Sequence, residues 1–332
     1  MSTQSAEPSS ADVFAAARRL AGHAVTTPLL QNRILNERIG ANVVIKAECL
    51  QIGGAFKFRG AYNRLSQIPP EERQRGAVAW SSGNHAQGVA AAAQRLGMHA
   101  AIVMPSDAPA IKLEHTRRLG AEIVLYDRHT QDREKIGREL ARERGATLVP
   151  PYDDPDVIAG QGTAALEMAA QTRSLLNRDL DALLVPCGGG GLTSGSALAM
   201  SAVSPGTKVY SVEPARFDDT ARSLKSGQRE RVDPSARTIC DALMPSTPGE
   251  ITWPILRERL AGGLSVSDDD ALDAIAFAWR ELKLVVEPGG VVALASLLYG
   301  NNDYRGQTVG IVLSGGNVDP ALYRDALSRP PR

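Results

Sequence analysis

A lysine between two phenylalanines, in the segment Phe56-Lys57-Phe58, is the side chain in this sequence best suited to amine chemistry. It follows Gly53-Gly54, where the pattern predicts a short loop that turns into a helix. Apolar neighbours remove water from an ammonium group, which lowers its pKa and favours the neutral amine that forms a Schiff base. A lysine at a helix start is more often an exposed residue with its stem on apolar surface, so this motif alone leaves both interpretations open.

A second polar group, Ser81-Ser82-Gly83-Asn84-His85, lies between a predicted strand and a predicted helix. Hydroxyl groups, an amide and free backbone N–H groups at a helix N-terminus can bind a carboxylate. The candidates for substrate binding are therefore Ser81, Ser82, Asn84 and His85. The alternative is that Asn84 is only the N-cap of the helix and that the two serines satisfy groups in the turn.

Four consecutive glycines, Gly188 to Gly191, follow a strand predicted at 182–187. Because glycine costs about 0.5–1 kcal/mol relative to alanine in regular structure, this run favours a backbone that approaches a ligand closely, and a phosphate group suits it best. No Lys-Ser/Thr pair completes a P-loop, and the glycine spacing fits a dinucleotide motif poorly. Glu213 nevertheless lies near where a ribose-binding acid would, so a nicotinamide enzyme stays an alternative, as does a tight turn without a ligand.

A third loop, Ser314-Gly315-Gly316-Asn317, either forms a plain turn or presents a hydroxyl group to a ring. All three loops follow strands in a chain that alternates short β-rich runs with helical patterns. This alternation predicts an α/β fold of open, mostly parallel sheets flanked by helices, with ligands at the carboxyl ends of strands. The predicted strands are 42–47, 76–81, 100–104, 122–126, 147–149, 182–187, 208–213 and 308–314, and the predicted helices include 11–20, 84–96, 108–119, 132–144, 217–224, 268–282 and 320–327.

The chain has 332 residues, of which 43% are hydrophobic and 22% are charged, and this is enough for two cores. We expect two lobes, each with its own sheet. A small domain is predicted at 73–153, and a large, discontinuous domain at 1–72 and 154–332. The segments that divide them, 70–75 and 150–156, are rich in proline and charged residues.

The overall charge is balanced, with 37 Lys and Arg against 37 Asp and Glu, so no net charge attracts nucleic acid or an anionic membrane. A small-molecule partner is expected instead. The three cysteines are far apart and lack metal-binding spacing, which predicts a reduced protein without disulfides. The polar first ten residues, and the lack of an apolar stretch near the roughly 20 residues of a membrane span, predict a cytoplasmic protein.

Four motifs, taken in order along the chain, resemble those of one enzyme family. They are Ala55-Phe56-Lys57-Phe58-Arg59-Gly60-Ala61, Ser81-Ser82-Gly83-Asn84-His85, the four glycines after Val185-Pro186-Cys187, and Val312-Leu313-Ser314-Gly315-Gly316-Asn317. Together they are similar to the pyridoxal-phosphate enzymes of the tryptophan-synthase β-subunit fold, fold type II, and most of all to threonine or serine dehydratases and serine racemases. The resemblance covers nearly the whole chain, from Thr27 to Asn317.

This resemblance implies a site for pyridoxal 5′-phosphate. It implies that Lys57 carries the cofactor as a Schiff base, and that the four glycines and Leu192 bind its phosphate. It also implies that Asn84 contacts the 3′-oxygen and that Ser314 bonds to the ring nitrogen. The full set of implied cofactor-binding residues is Phe56, Lys57, Asn84, Gly188, Gly189, Gly190, Gly191, Leu192 and Ser314.

The expected reaction follows from the neutral side chain of Ser314. A neutral partner leaves the ring nitrogen largely unprotonated, which suits prompt departure of a group from the β-carbon. We expect β-elimination of water from a β-hydroxy amino acid, most simply threonine or serine. Lys57 would take the α-proton, and the products would be a 2-oxo acid and ammonia. Ser82 faces the other side of the α-carbon in racemase-like members, so serine racemase is an alternative and racemisation an expected side reaction.

A divalent-cation site is a further implication. The segment Glu213-Pro214-Ala215-Arg216-Phe217-Asp218-Asp219 resembles the cation loop of serine racemases, in which Glu213, the Phe217 carbonyl and Asp219 would be the ligands. Such oxygen ligands suit Mg²⁺, Mn²⁺ or Ca²⁺. The alternative is that the acids cap the helix predicted at 217–224.

Departures from the family concern the substrate. Family members often have glycine where this chain has Ala242, and the proline-rich loop that follows is unlike the usual one. Another β-hydroxy amino acid, such as 3-hydroxyaspartate or a bulkier one, is therefore an alternative substrate. Arg133 and Arg138 are candidates for the basic residue that binds the substrate carboxylate, although arginines more often lie on the solvated face of a helix. We also expect a homodimer, and a nicotinamide-dependent dehydrogenase is the weaker alternative.

Overall fold

The structure is a computed structural model, and it describes residues 7–108 and 110–332. The strands are β1 (Leu29–Leu30), β2 (Asn42–Lys46), β3 (Ala77–Trp80), β4 (Ala100–Pro105), β5 (Glu122–Tyr126), β6 (Thr147–Leu148), β7 (Ala182–Pro186), β8 (Lys208–Pro214), β9 (Gly262–Val266) and β10 (Thr308–Val312). The α-helices are α1 (Ser10–Leu20), α2 (Arg33–Ile39), α3 (Lys57–Ser66), α4 (Asn84–Arg95), α5 (Ala110–Arg118), α6 (Arg133–Arg144), α7 (Pro155–Leu176), α8 (Gly191–Val203), α9 (Asp219–Ser226), α10 (Thr252–Arg259), α11 (Asp268–Phe277), α12 (Pro288–Tyr299) and α13 (Pro320–Ser328).

The larger sheet has the strand order β1-β2-β10-β7-β8-β9, and its strands are parallel apart from the antiparallel pair β1 and β2. Both faces of this sheet are buried. On β2, Val43 and Ile45 pack with α11 and α12 on one face, while Val44 packs with α1, α7 and α8 on the other. Parallel strands that are covered on both faces are apolar throughout, which explains the continuous hydrophobic runs in the sequence.

The smaller sheet is parallel, with the strand order β5-β4-β3-β6, and its strands lie between residues 77 and 148. On β3, Ala77 and Ala79 pack with α3 and α4, and Val78 packs with Ala141 of α6 on the opposite face. The two sheets confirm the predicted α/β fold of open, mostly parallel sheets flanked by helices. The domain boundaries near residues 72 and 153 stay a prediction.

The eight predicted strands are present, but the sequence pattern does not predict β1 and β9. The first has only two residues, and the second begins with two glycines, which have low β propensity. The helix predicted at 217–224 begins instead at Asp219, and the helix predicted at 268–282 is α-helical only to Phe277 and then π-helical over Ala278–Leu282. None of the helices in the two described stretches has both the length and the apolar character that a membrane crossing demands.

The carboxyl ends of β3, β7 and β10 lead directly into the three predicted loops, as expected for a parallel sheet. The loop before Lys57 is held in place differently. Gly53 and Gly54 have φ values of 74° and 72°, in the left-handed region that favours glycine. A β-bridge then joins Ala55 to Gly315, so the start of α3 is attached to the loop that follows β10.

Candidate active site

A cavity of about 470 Å³ lies where these loops meet. It brings together predicted residues from four separate parts of the sequence, namely Phe56, Lys57, Ser81, Ser82, Asn84, His85, Gly188, Gly189, Gly190, Gly191, Leu192 and Ser314. The three predicted metal-binding residues, Glu213, Phe217 and Asp219, lie outside it. Convergence of distant segments on one cavity is typical of a binding site rather than of structural turns.

Lys57 is the first residue of α3 and lies at the cavity wall. Its Nζ donates a hydrogen bond to the Pro151 carbonyl at 2.6 Å and lies 5.0 Å from the centre of the Phe56 ring. Burial lowers the pKa of Lys57 to about 8, and the Glu287 carboxylate only partly opposes this shift. About one amine in ten is then neutral at pH 7, against about one in 2,500 for an unperturbed lysine. This is the environment that a Schiff-base lysine requires.

The glycine run closely contacts its surroundings as it enters α8. Gly189 packs against the ring of Tyr152 with no room for a Cβ atom, and a Cβ at Gly191 would lie 2.8 Å from Gln161 Oε1. Gly190 is the N-cap of α8 and has a φ of 96°, which again favours glycine. The first turn of α8 lines the cavity, and the unpaired N–H groups of such a turn bind phosphate. This cradle fits the phosphate of the implied cofactor.

Gln161 adds a polar group beside the cradle. Its side chain is fully buried, and neither its Nε2 nor its Oε1 has a hydrogen-bond partner within the described part of the chain. Buried amides are almost always hydrogen-bonded, so a polar ligand or water belongs next to Gly191. The Gln161 amide therefore adds an unpartnered hydrogen-bonding group next to the backbone of the glycine run.

Asn84 is held between two side chains. Gly83 is the N-cap of α4 and Asn84 is its first residue, so the interpretation of Asn84 as the N-cap is wrong. Asn84 Nδ2 donates to Glu287 Oε1 at 2.5 Å, and Asn84 Oδ1 accepts from Asn317 Nδ2 at 2.8 Å. Burial raises the pKa of Glu287 to about 8, although the hydrogen bond from Asn84 opposes the shift.

Neutral polar groups lie at the start of α4 and in the loop before it. His85 Nε2 lies 2.8 Å from the Val149 carbonyl, so Nε2 carries the hydrogen and Nδ1 is an acceptor. Burial, with a smaller effect of Lys57, lowers the pKa of His85 to about 3, so this imidazole is neutral at working pH. Ser81 Oγ accepts from the Gly83 N–H at 3.1 Å and so satisfies a turn group, whereas Ser82 lines the cavity.

Ser314 is fixed by its backbone. Its carbonyl accepts from the Phe56 N–H and its N–H donates to the Gly290 carbonyl, both at 3.1 Å. The first bond holds Ser314 beside the start of α3, and the second holds it beside the start of α12. Ser314 is only 5% exposed, so water has little access to it.

Three basic side chains line the cavity from the part of the chain that forms the smaller sheet. Lys112 forms an ion pair with Asp241 at 2.8 Å, and Arg128 forms one with Asp107 at 2.8 Å. Within the described residues, Arg133 makes no ion pair, and it is the basic residue available to a ligand. Arg138, the other predicted candidate, pairs with Glu134 at 2.8 Å and does not line the cavity, so its selection as a carboxylate ligand is not supported.

The predicted metal-binding segment contains two neighbouring buried acids. Glu213 accepts from the N–H groups of Thr220 and Ala221 at 2.9 and 2.8 Å, so it caps the first turn of α9 as the alternative predicts. Burial and then Asp219 raise the pKa of Glu213 well above its ordinary value. Burial raises the pKa of Asp219 to about 7, and in the described part of the chain its Oδ2 has no partner. Two adjacent carboxylates with an unpartnered oxygen fit a divalent cation.

A metal site formed by side chains alone is absent from the described residues. Within residues 7–108 and 110–332, no group of three or more His, Cys, Asp or Glu side chains could hold a metal ion. The predicted set differs because it has two carboxylates and relies on the Phe217 carbonyl. All three cysteines are buried and free.

Ala242, which stands where family members often have glycine, lies at the cavity wall. A Cβ atom built on Gly289 would lie 3.1 Å from Ala242 Cβ and 3.2 Å from Leu243 Cγ. The methyl group of Ala242 therefore occupies the space that a side chain at position 289 would need. Ala242 and Leu243 both line the cavity, so alanine in place of the family's glycine at position 242 changes the shape of the cavity directly.

A family model described as "Pyridoxal-phosphate dependent enzyme" matches residues 20–315. The chain belongs to this family. As a pyridoxal-phosphate dependent enzyme, it uses the cofactor that Lys57 and the glycine cradle suggested, and the nicotinamide alternative is wrong.

Named relatives of this pyridoxal-phosphate enzyme cover almost its whole length. It is 49% identical to an L-threo-3-hydroxyaspartate ammonia-lyase of Pseudomonas sp, over 95% of this chain and 97% of the relative. It is 41% identical to a serine racemase of Schizosaccharomyces pombe, over 97% of this chain and 98% of the relative. The crystal structure of serine racemase from Dictyostelium discoideum has a TM-score of 0.87 and 36% identity, covering 95% of this chain and 100% of that one. The enzyme is a lyase of the carbon–nitrogen class, as predicted.

Sequence reasoning missed Glu287 and did not assign a role to Asn317 or Gln161. The signal for Glu287 was present in the segment Glu287-Pro288-Gly289-Gly290, where an acid precedes proline and two glycines at a helix start. That segment could have been recognised as a fourth loop of the cavity. No local pattern marks Gln161, which lies in the middle of α7.

Proposed function

We propose that this enzyme eliminates water from a β-hydroxy amino acid and releases a 2-oxo acid and ammonia. The observation that carries the proposal is Lys57, whose amine has a lowered pKa and shares one cavity with a phosphate cradle. The Ser81–His85 loop at the N-terminus of α4 supplies N–H and hydroxyl groups for the α-carboxylate of the substrate. The ammonia-lyases among its relatives catalyse reactions of this class by their names.

The cofactor would be held by residues of this cavity. Lys57 would carry it as a Schiff base next to Phe56, Gly188 to Gly191 with Leu192 would bind its phosphate, and Asn84 and Ser314 would contact its ring. When bound, pyridoxal phosphate withdraws electrons from the α-carbon of the substrate.

The protein's own groups would do the remaining chemistry. Once the substrate amine replaces it, the Lys57 amine is free to take the α-proton, and its lowered pKa makes it a base at neutral pH. Ser314 is neutral and therefore does not favour a protonated ring nitrogen. The β-hydroxyl group then leaves as water, which requires a proton that Lys57 can return. The released enamine takes up one water as it hydrolyses, and this step gives the 2-oxo acid and ammonia.

We further propose 3-hydroxyaspartate as the preferred substrate. Its second carboxylate needs a cationic partner, and Arg133 lines the cavity without an ion pair in the described part of the chain. The relatives at 49% and 46% identity are both named L-threo-3-hydroxyaspartate ammonia-lyase. Threonine and serine, which lack that carboxylate, remain the alternative substrates.

Two experiments test these proposals in order. The purified protein should be yellow, and reduction with borohydride should bleach the visible band and label Lys57; a colourless protein that cannot be reconstituted would contradict the proposed site. A panel of 3-hydroxyaspartate, threonine and serine, assayed for ammonia and 2-oxo acid, then identifies the substrate.

Arg133→Leu tests the acidic-substrate proposal, with Arg138→Leu as the matched control on the same helix. Loss of one charge-assisted hydrogen bond, worth about 1.5–3 kcal/mol, should lower kcat/KM for 3-hydroxyaspartate by about 10–150-fold. Activity with threonine should change little. An equal loss of kcat/KM with both substrates would mean that Arg133 does not bind the second carboxylate of 3-hydroxyaspartate.

Ser82 is proposed as the acid–base group on the face of the α-carbon opposite Lys57. Its support is its position at the cavity wall, two residues before Asn84. Ser82→Ala should still eliminate water but should lose racemisation. Normal racemisation by this variant would disprove the two-base proposal.

A divalent cation, Mg²⁺ or else Mn²⁺ or Ca²⁺, is proposed at Glu213, the Phe217 carbonyl and Asp219. The unpartnered Asp219 Oδ2 and the raised pKa of both acids support it. Activity and stability that are unchanged after exhaustive chelation would leave only the capping role of Glu213.

A homodimer is proposed from exposed apolar side chains on neighbouring segments. Ile34, Leu50 and Trp279 are 47–49% exposed. A hydrogen bond from Asn32 to the Glu281 carbonyl ties α2 to the π-helical turn that carries Trp279. Sedimentation should show a dimer for the wild type and a monomer for Trp279→Glu; a monomeric wild type would refute the proposal.

A further inference from the structure

Four segments meet at the Asn84 side chain. Glu287 at the start of α12 and Asn317 after β10 are hydrogen-bonded to it, and Asn317 also donates to the Gly53 carbonyl before α3. The first two residues have no role in the site described so far. Their contacts decide which end of the Asn84 amide faces the cavity.

The orientation of these amides follows from one backbone carbonyl. Asn317 Nδ2 lies 2.8 Å from Gly53 O, which can only accept, so this end of the Asn317 amide is the donor. The same Nδ2 lies 2.8 Å from Asn84, so the facing Asn84 atom must be the acceptor, Oδ1. Asn84 Nδ2 therefore points to Glu287 Oε1, which accepts one of its two hydrogens.

Glu287 is held ready for this contact. It is the N-cap of α12, yet its side chain makes no capping hydrogen bond, and its backbone carbonyl accepts from the Gly290 N–H instead. Its backbone N–H donates to the Gly315 carbonyl at 3.1 Å, and its carboxylate packs against Gly315 where no Cβ atom would fit. The side chain is 4% exposed, so water does not compete for the bond to Asn84.

We propose that Glu287 and Asn317 are positioning residues that fix Asn84 as a hydrogen-bond donor toward the 3′-oxygen of the bound cofactor. One N–H of Asn84 Nδ2 is left unused by contacts within the described residues. A reversed amide would instead present an acceptor to an oxygen atom. The inference rests on the proposed contact between Asn84 and the cofactor, and it adds the two residues that set the direction of that contact.

The test measures pyridoxal phosphate itself, without substrate, by its dissociation constant and by the visible spectrum of the holoenzyme. Asn84→Ala and Glu287→Leu should each weaken binding about tenfold, the effect of one hydrogen bond, and should shift the visible band. Glu287→Gln retains an oxygen that accepts from Asn84, so its binding and spectrum should match the wild type. The double variant of Asn84→Ala and Glu287→Leu should be no weaker than Asn84→Ala alone, because both changes remove the same contact.

Asn317→Asp provides a second route if Glu287→Leu fails to fold. A carboxylate cannot donate to Gly53 O and would accept from Asn84 Nδ2, which turns the Asn84 amide around. This half-buried substitution of equal size should shift the visible band as Asn84→Ala does.

Additive losses in the double variant, or an unchanged spectrum in both Glu287→Leu and Asn317→Asp, would overturn the inference. An unchanged spectrum and affinity in Asn84→Ala would instead overturn the proposed contact of Asn84 with the cofactor. The two failures are therefore distinguishable.

Discussion

Buried charges on the two sides of the start of α3 are arranged in opposite ways. Beneath the helix, Arg59 is fully buried and forms ion pairs with Glu48 at 2.8 Å and with Glu167 at 2.7 Å. In the cavity, two residues earlier in the chain, Lys57 donates to the Pro151 carbonyl instead of a carboxylate. Arg59 is therefore paired with carboxylates, whereas Lys57 is not.

The pKa values follow from this difference in pairing. Burial alone would raise the pKa of Glu48, yet the Arg59 guanidinium lowers it below its ordinary value. Burial raises the pKa of Glu287 to about 8, because the hydrogen bond from Asn84 and the smaller effects of Lys112 and Lys57 do not offset it. Paired charges thus stay ionised and hold the scaffold, whereas isolated groups change protonation near neutral pH, where catalysis requires it.

The largest expected effect comes from removing the isolated amine. Lys57→Ala should lower kcat by about 10⁴-fold, at the upper end of what a general base contributes. Its free energy of unfolding, measured after removal of cofactor from both proteins, should not fall, because a desolvated amine contributes no stabilising ion pair. Lys208→Ala, at an exposed lysine, is the control and should retain turnover. Substantial turnover by Lys57→Ala would contradict the assignment of the base.

The paired group should respond in the opposite manner. Arg59→Met leaves Glu48 and Glu167 without their guanidinium, and breaking a buried ion pair in this way costs about 3–5 kcal/mol of unfolding free energy. Urea unfolding measures this loss. Turnover, measured where the variant is still folded, should fall far less than in Lys57→Ala. A variant with normal stability and no turnover would mean that the two groups are not separate in function.

A third test concerns Glu213 and Asp219, which, like Glu287, form no ion pair within the described residues. An acid with a raised pKa in the folded state destabilises the protein above that pKa, and the cost disappears as the pH falls toward the unfolded value. In chelator, the unfolding free energy should therefore increase as the pH falls through about 7, where Asp219 titrates. Asp219→Asn should remove that part of the pH dependence.

Magnesium should act on the same acids with the opposite pH preference. At a concentration a hundredfold above Kd it should stabilise the protein by about 2.7 kcal/mol. Since protons compete for the carboxylates, this gain should be larger at about pH 8 than at about pH 5.5. Thermal unfolding with and without the cation, in wild type and in Asp219→Asn, provides the measurement. Equal stabilisation of both proteins would place the cation elsewhere.

The smallest effect is expected at an exposed ion pair. Arg33 and Glu37 lie 2.7 Å apart, but their side chains are 82% and 60% exposed. Glu37→Ala should cost about 0.3–0.5 kcal/mol at most, because water screens the pair. A loss as large as that of Arg59→Met would show that burial is not what distinguishes these pairs.

Residues whose chemistry depends on near neighbours could be predicted from the sequence. Lys57 lies between aromatic residues, and the glycine run is unusual by itself, so both stand out within a few positions. Glu287 could not be predicted in this way, because its partner Asn84 is 203 residues away. Its importance comes from a hydrogen bond that exists only after β3, β10 and α12 have come together.

The choice between Arg133 and Arg138 shows a second limit. Both are arginines of the helix α6, and composition cannot separate them. At 3.6 residues per turn, positions five apart point about 140° away from each other, so only one of them can face the cavity. The rotation of α6 about its own axis, relative to the smaller sheet, decides which arginine faces the cavity. That rotation depends on packing rather than on the local sequence.

The contact between Ala242 and Gly289 has a consequence for how such enzymes diverge. A Cβ atom at position 289 would be crowded by the Ala242 methyl group at 3.1 Å and by Leu243 Cγ at 3.2 Å, so these neighbours would have to shift. A side chain at position 289 is therefore accepted more easily where position 242 is glycine, and we expect the two positions to vary together among related enzymes.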